Sequence, residues 1–183
     1  MAARAVPAPL AQLPNALTVF RFALIPFFVA LMLAEGGEGS YVTAAVFALA
    51  GATDQLDGWL ARRWRVESQF GKLADPLADR LMIDAAVILL WLDGRLPWPA
   101  LAVILVRDLG LVLAYPAVRG RGYAFEVNAV GKLATWILYA SLVGVIASDE
   151  GTAWPLVLFW VGVALALVAA GLYVLKALRE VRR

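Results

Sequence analysis

Six long runs of apolar residues, parted by short polar breaks, set the pattern of this chain. The first opens at Leu13-Pro14-Asn15 and continues to about Ala34; the others cover about Tyr41–Leu60, Lys72–Leu92, Pro97–Ala117, Asn128–Ala147 and Trp154–Leu175. At roughly 1.5 Å per residue, about 20 helical residues cross a hydrocarbon core of about 30 Å. The pattern therefore predicts an all-α integral membrane protein with six transmembrane helices. Residues 1–13, rich in Ala and Pro, read as an N-terminal interfacial segment, and residues 14–183 as one six-helix domain. Pro14 suits a helix start, Asn15 or Thr18 is placed to satisfy free amides there, and Pro26 is expected to kink the first helix.

The breaks are as informative as the runs. Glu35–Ser40, Asp93-Gly94-Arg95 and Ser148–Gly151 are turns; Arg62–Phe70 reads as a charged link and Val118–Glu126 as a basic loop. Arg4, Arg62, Arg63, Arg65, Lys72, Arg119, Arg121, Lys132, Lys176, Arg179, Arg182 and Arg183 then gather at one end of the bundle. The other end holds Arg95 with Glu35, Glu38, Asp93, Asp149 and Glu150, beside Trp91, Trp98 and Trp154. Cationic loops stay in the cytoplasm and Trp gathers at the interfaces, so both chain ends are expected to face the cytoplasm.

Composition narrows the chemistry. The chain has 183 residues, is 63% hydrophobic and 16% charged, and carries a formal net charge of +2. It contains no Cys and no His, which excludes disulfides, thiolate zinc sites, imidazole ligation and Ser-His-Asp catalysis. Any catalysis here must use carboxylates, Lys, Arg, hydroxyls and metal ions, and no nucleic-acid partner is expected.

Carboxylates at the ends of such helices are costly and need a reason. At about 100° per residue, Asp57, Gly58 and Ala61 lie about 300°, 40° and 340° round the helix from Asp54, one face of about 100°. Asp75 and Asp79 fall about 40° and 80° from Gly71, again one face. Two helices would each present a pair of acids beside small residues. Oxygen donors of this kind suit a hard divalent cation, and four of them could bridge two ions that clamp a diphosphate. The plainer alternative is pairing with Arg62, Arg63, Arg65, Lys72 and Arg80. Asp84, four residues beyond Arg80, reads as the partner of that arginine in an i,i+4 ion pair.

Asp54, Asp57, Gly58, Ala61 and Arg62, then eight residues, then Gly71, Asp75 and Asp79, form an eight-position pattern that resembles the CDP-alcohol phosphatidyltransferase family. The resemblance implies metal-dependent transfer of a phosphatidyl group from CDP-diacylglycerol to an alcohol, with release of CMP. It also implies that Asp54, Asp57, Asp75 and Asp79 hold two Mg²⁺ or Mn²⁺ ions. Gly58, Ala61, Arg62 and Gly71 would shape the CDP-lipid pocket, Asp79 would be the general base, and the chain would form a homodimer. Lying at the cytoplasmic face of a bacterial inner or plasma membrane, such a site meets nucleotide and membrane lipids together.

The opening Pro14-Asn15, Leu17-Thr18 and Arg21 resembles that of the family's phosphatidylglycerophosphate synthases, placing Asn15, Thr18 and Arg21 at the border of the site. A helix cap with a snorkelling arginine is the alternative. Arg107, Arg119, Arg121 and Lys132 are a second cationic set, suited to a phosphate-bearing acceptor such as glycerol 3-phosphate. Equally, Arg119 and Arg121 could touch anionic headgroups, and Arg107 could pair with a site carboxylate. Gly131-Lys132-Leu133-Ala134-Thr135 resembles the Gly-Lys-x-Lys-Thr run of those synthases but has Ala134 in place of the second lysine. Arg107-Asp108 resembles a pair in the family's cardiolipin synthases, which take phosphatidylglycerol as acceptor; that is the alternative within the family. A small cation or proton transporter is the alternative outside it, expected to carry acids near mid-membrane on interrupted helices.

Overall fold

The computed structural model describes the backbone of residues 12–64, 69–119 and 129–181. Side chains are described for these residues except 61–62, 69–76, 79, 111–119, 129 and 173–181. Six helices follow in order: α1 Leu13–Glu35, α2 Tyr41–Trp64, α3 Gln69–Leu92, α4 Trp98–Arg119, α5 Ala129–Ala147 and α6 Ala153–Val181. The predicted starts and ends are close, with physically informative exceptions. Arg62–Trp64 continue α2 and Gln69–Phe70 open α3, so much of the expected charged link is helix. Pro76 is the eighth residue of α3. Val118 and Arg119 of the expected basic loop end α4, and its residues 120–126, like the 1–11 segment, lie outside the described residues.

α1 begins with Pro14 at a position where its missing N–H costs nothing, but Gln12, before it, makes no side-chain cap. Thr18, one turn on, donates its hydroxyl to the Pro14 carbonyl at 3.1 Å. The helix runs on through Pro26 and stops where Gly36 turns left-handed, φ 63°.

The helices are not equal partners. α1, α2, α3 and α5 pack together, while α4 joins through α3 and α6 lies along α5. Phe28, Phe47 and Tyr139 link α1, α2 and α5, with ring centroids 5.5 and 5.1 Å apart. Met82, Val87 and Leu90 of α3 and Leu142 and Ile146 of α5 complete the centre. Gly51 makes the α2–α5 approach feasible, since a Cβ there would lie 2.4 Å from Tyr139 Cε1. Outside, Phe27, Leu33, Leu49, Val106, Leu133, Val157 and Leu167 are exposed, the apolar exterior of a chain solvated by lipid. Among the described residues, three segments are long and apolar enough to cross a membrane: Leu13–Glu35, Val130–Ala147 and Ala153–Leu172. α2 and α3 carry Asp54, Asp57, Arg80 and Asp84 within their apolar runs.

One end of the bundle is tied by Arg95. Its guanidinium donates to the carbonyls of Glu38, Val145 and Ser148, joining the turns after α1, α3 and α5. Burial lowers its pKa from the ordinary arginine value, while Asp93, Asp149, Glu150 and Glu35 pull it back up. The Ser40 amide donates to the Ile146 carbonyl at 2.8 Å and Thr43 Oγ1 donates to Glu35 Oε1 at 2.7 Å, adding bonds at the turn after α1. The expected acidic and tryptophan-rich end is thus one connected structure.

Candidate active site

The aspartates lie towards the other end of α2. Asp54 and Asp57 sit three residues apart on one face, and a single residue of α1 reaches both. Arg21 Nη1 donates to Asp54 Oδ1 at 2.7 Å and Nη2 donates to Asp57 Oδ2 at 2.5 Å. Arg21 is 0% exposed, so it does not snorkel; its stem and head both lie inside the bundle. The side chain of Asp57 is 2% exposed and that of Asp54 23%, leaving the pair closed on the Arg21 side and open towards Asp54. Gly58 follows Asp57, half-buried, and Asn15 is half-buried two turns before Arg21.

Asp75 and Asp79 occupy α3, which packs on α1 and α2. The side chains of Ala61, Arg62, Gly71, Asp75, Asp79 and Arg119, and all of Arg121, lie outside the described residues. Asp54 and Asp57 suit a hard divalent cation by donor type: neighbouring carboxylates in a chain with no competing thiol or imidazole. One edge of the pair is partly open, as a substrate-facing cation requires.

A second ionic cluster joins α3 to α4, and its pairing differs from that expected. Arg80 does not bond Asp84. Its Nη1 donates to the Asp108 main-chain carbonyl at 3.1 Å and lies 3.5 Å from the Asp108 carboxylate. Arg107 donates to the same carboxylate from Nε and Nη2, at 2.8 and 3.1 Å. The carboxylate that pairs with Arg107 is therefore its own neighbour. Spacing along one helix favoured Asp84, whereas the α3–α4 contact turns Arg80 towards α4. The adjacent Arg107-Asp108 in an apolar segment was the signal for this cluster. On α5, Lys132 is exposed and Ala134 is 1% exposed, so the departure from the two-lysine run falls on the buried face.

Residues 11–168 match the CDP-alcohol phosphatidyltransferase family. The chain belongs to that family. A protein of Mycobacterium tuberculosis (strain H37Rv), named probable phosphatidylglycerophosphate synthase, is 34% identical over 182 residues, 95% of this chain and 85% of its own length. The Bacillus subtilis (strain 168) protein named CDP-diacylglycerol–glycerol-3-phosphate 3-phosphatidyltransferase is 36% identical over 137 residues, 68% of this chain and 71% of its own. One of the same name from Yersinia pestis (strain Pestoides F) is 36% identical over 139 residues, covering 74% and 76%. Membership makes this chain a membrane-embedded transferase and sets the transporter alternative aside.

Proposed function

We propose that this phosphatidyltransferase is a phosphatidylglycerophosphate synthase, moving the phosphatidyl group of CDP-diacylglycerol to glycerol 3-phosphate and releasing CMP. The observation that carries this is the complete eight-position aspartate pattern, in a chain whose similarity to synthases so named runs almost end to end. All six helices cross the membrane, residues 14–183 are the catalytic domain, and the aspartates face the cytoplasm because the cationic loops do. The active protein is a homodimer.

Asp54, Asp57, Asp75 and Asp79 hold two Mg²⁺ or Mn²⁺ ions. When bound, the ions supply charge neutralisation for the diphosphate. The chain's own residues do the rest. Gly58, Ala61 and Gly71 leave room for the cytidine diphosphate, and Arg62 can fork onto phosphate oxygens. Asp79 accepts the proton of the acceptor hydroxyl as its oxygen attacks the β-phosphorus. A new P–O bond forms, the bond to the bridging oxygen breaks, and CMP leaves with that electron pair. No protein nucleophile takes part, so positioning and charge provide most of the rate.

Arg107, Arg119, Arg121 and Lys132 receive the acceptor phosphate. The experiment is CMP release by purified protein from CDP-diacylglycerol with Mg²⁺ or Mn²⁺, comparing glycerol 3-phosphate with phosphatidylglycerol. Release with glycerol 3-phosphate alone is expected. Release with phosphatidylglycerol alone would make the protein a cardiolipin synthase.

A further inference from the structure

We infer that Arg21 is the resident counter-cation of Asp54 and Asp57, holding their carboxylates together when divalent ions are absent. The inference rests on the proposed function for the ions and on the geometry for everything else.

Arg21 is the ninth residue of α1, roughly 12 Å along the helix from Leu13 at about 1.5 Å per residue. A guanidinium at 0% exposure has surrendered its hydration and must recover it from partners. Its two partners among the described residues both belong to the aspartate pattern, and the fork serves each with a different nitrogen. An ammonium is a point charge and cannot reproduce that division from the same stem. The fork also fixes α1 against α2 beside the site, which no backbone hydrogen bond between helices can do.

The carboxylates consequently have two classes of cation available. The guanidinium is covalently attached and holds them from the buried side. Divalent ions arrive from the open side at Asp54, whose side chain is 23% exposed. Both compensate the same negative charge, so removing one makes the fold more dependent on the other. That linkage separates a counter-cation from an arginine that merely fills space.

The test is thermal unfolding of the purified full chain in detergent micelles, stripped with chelator and then titrated with Mn²⁺. Wild type is compared with Arg21→Met, which keeps the bulk and removes the charge, and Arg21→Lys, which keeps the charge and removes the fork. Without metal, Arg21→Met is expected to melt roughly 10 °C below wild type, the scale set by breaking a buried pair. Mn²⁺ should raise its melting temperature by more than it raises that of wild type, with Arg21→Lys between the two. Should Arg21→Met prove unrecoverable, Arg21→Lys carries the same test with the same sign. Equal Mn²⁺ increments in wild type and variant, alongside metal-dependent CMP release by wild type, would overturn the role of Arg21 and leave the transferase reading intact. No Mn²⁺ effect on any of the three, with CMP release independent of metal, would overturn both.

Discussion

Arg80 of α3 donates to the main-chain carbonyl of Asp108 on α4, 3.1 Å away. The contact joins the residue after Asp79 to a helix that packs on the rest of the bundle chiefly through α3. Asp108 also takes both Arg107 bonds, and its side chain is 5% exposed while those of Arg80 and Arg107 are 26% and 27% exposed. Asp108→Ala should therefore cost about 2–3 kcal/mol, as expected for charge-assisted bonds at a largely buried carboxylate. Asp108→Asn should cost less, because the amide oxygen still accepts. Unfolding of both variants in micelles measures this; equal losses would mean that the carboxylate charge carries the whole contribution and the neutral acceptor and side-chain shape carry none.

A methyl group at Gly51 must displace the Tyr139 ring, whose Cε1 and Cδ1 would lie 2.4 and 2.9 Å from it. That ring is stacked on Phe47 and has little room to yield. Gly51→Ala is expected to destabilise by about 1–3 kcal/mol, the usual cost of overpacking. Adding Tyr139→Leu should recover part of the loss. A single substitution as stable as wild type would show that α2 and α5 separate easily.

Asp79→Asn should lower turnover by about 10²–10⁴-fold, the range of a lost general base, while CDP-diacylglycerol still binds. CMP release and lipid binding are measured on the same preparation. Near-normal turnover would remove Asp79 from the base role.

Lys132 is exposed on α5, one turn from Thr135, which bonds back to Gly131 at 3.0 Å. Lys132→Ala should raise the KM for glycerol 3-phosphate about tenfold, the scale of one charge-assisted contact, and leave that for CDP-diacylglycerol nearly unchanged. A larger effect on the CDP-lipid would place this lysine at the nucleotide.

The helices were legible because apolar runs and glycine turns agree, as at Gly36 and Gly94, both at positive φ. Helical periodicity likewise placed Asp54 and Asp57 on one face. Their partner was harder to read, since Arg21 lies 33 and 36 residues away and meets them only through the packing of α1 on α2. Arg80 was read wrongly for a related reason: i,i+4 spacing is visible in a sequence, but the neighbouring helix is not. The charged link misled in another way. Charge marks where a chain leaves lipid, yet Arg62–Trp64 and Gln69–Phe70 remain helical because hydrogen bonding along a helix does not require apolar side chains.

The Arg95 tie also bears on how a two-tailed lipid gets in and out. Three turns share one guanidinium, so separating the helices at that end breaks several bonds at once. A helix of 23 residues is about 35 Å long, and a tilt of a few degrees pivoting at Arg95 opens a gap of ångströms at the far tip. Relative movement of the helices is therefore expected to be smallest at the Arg95 end.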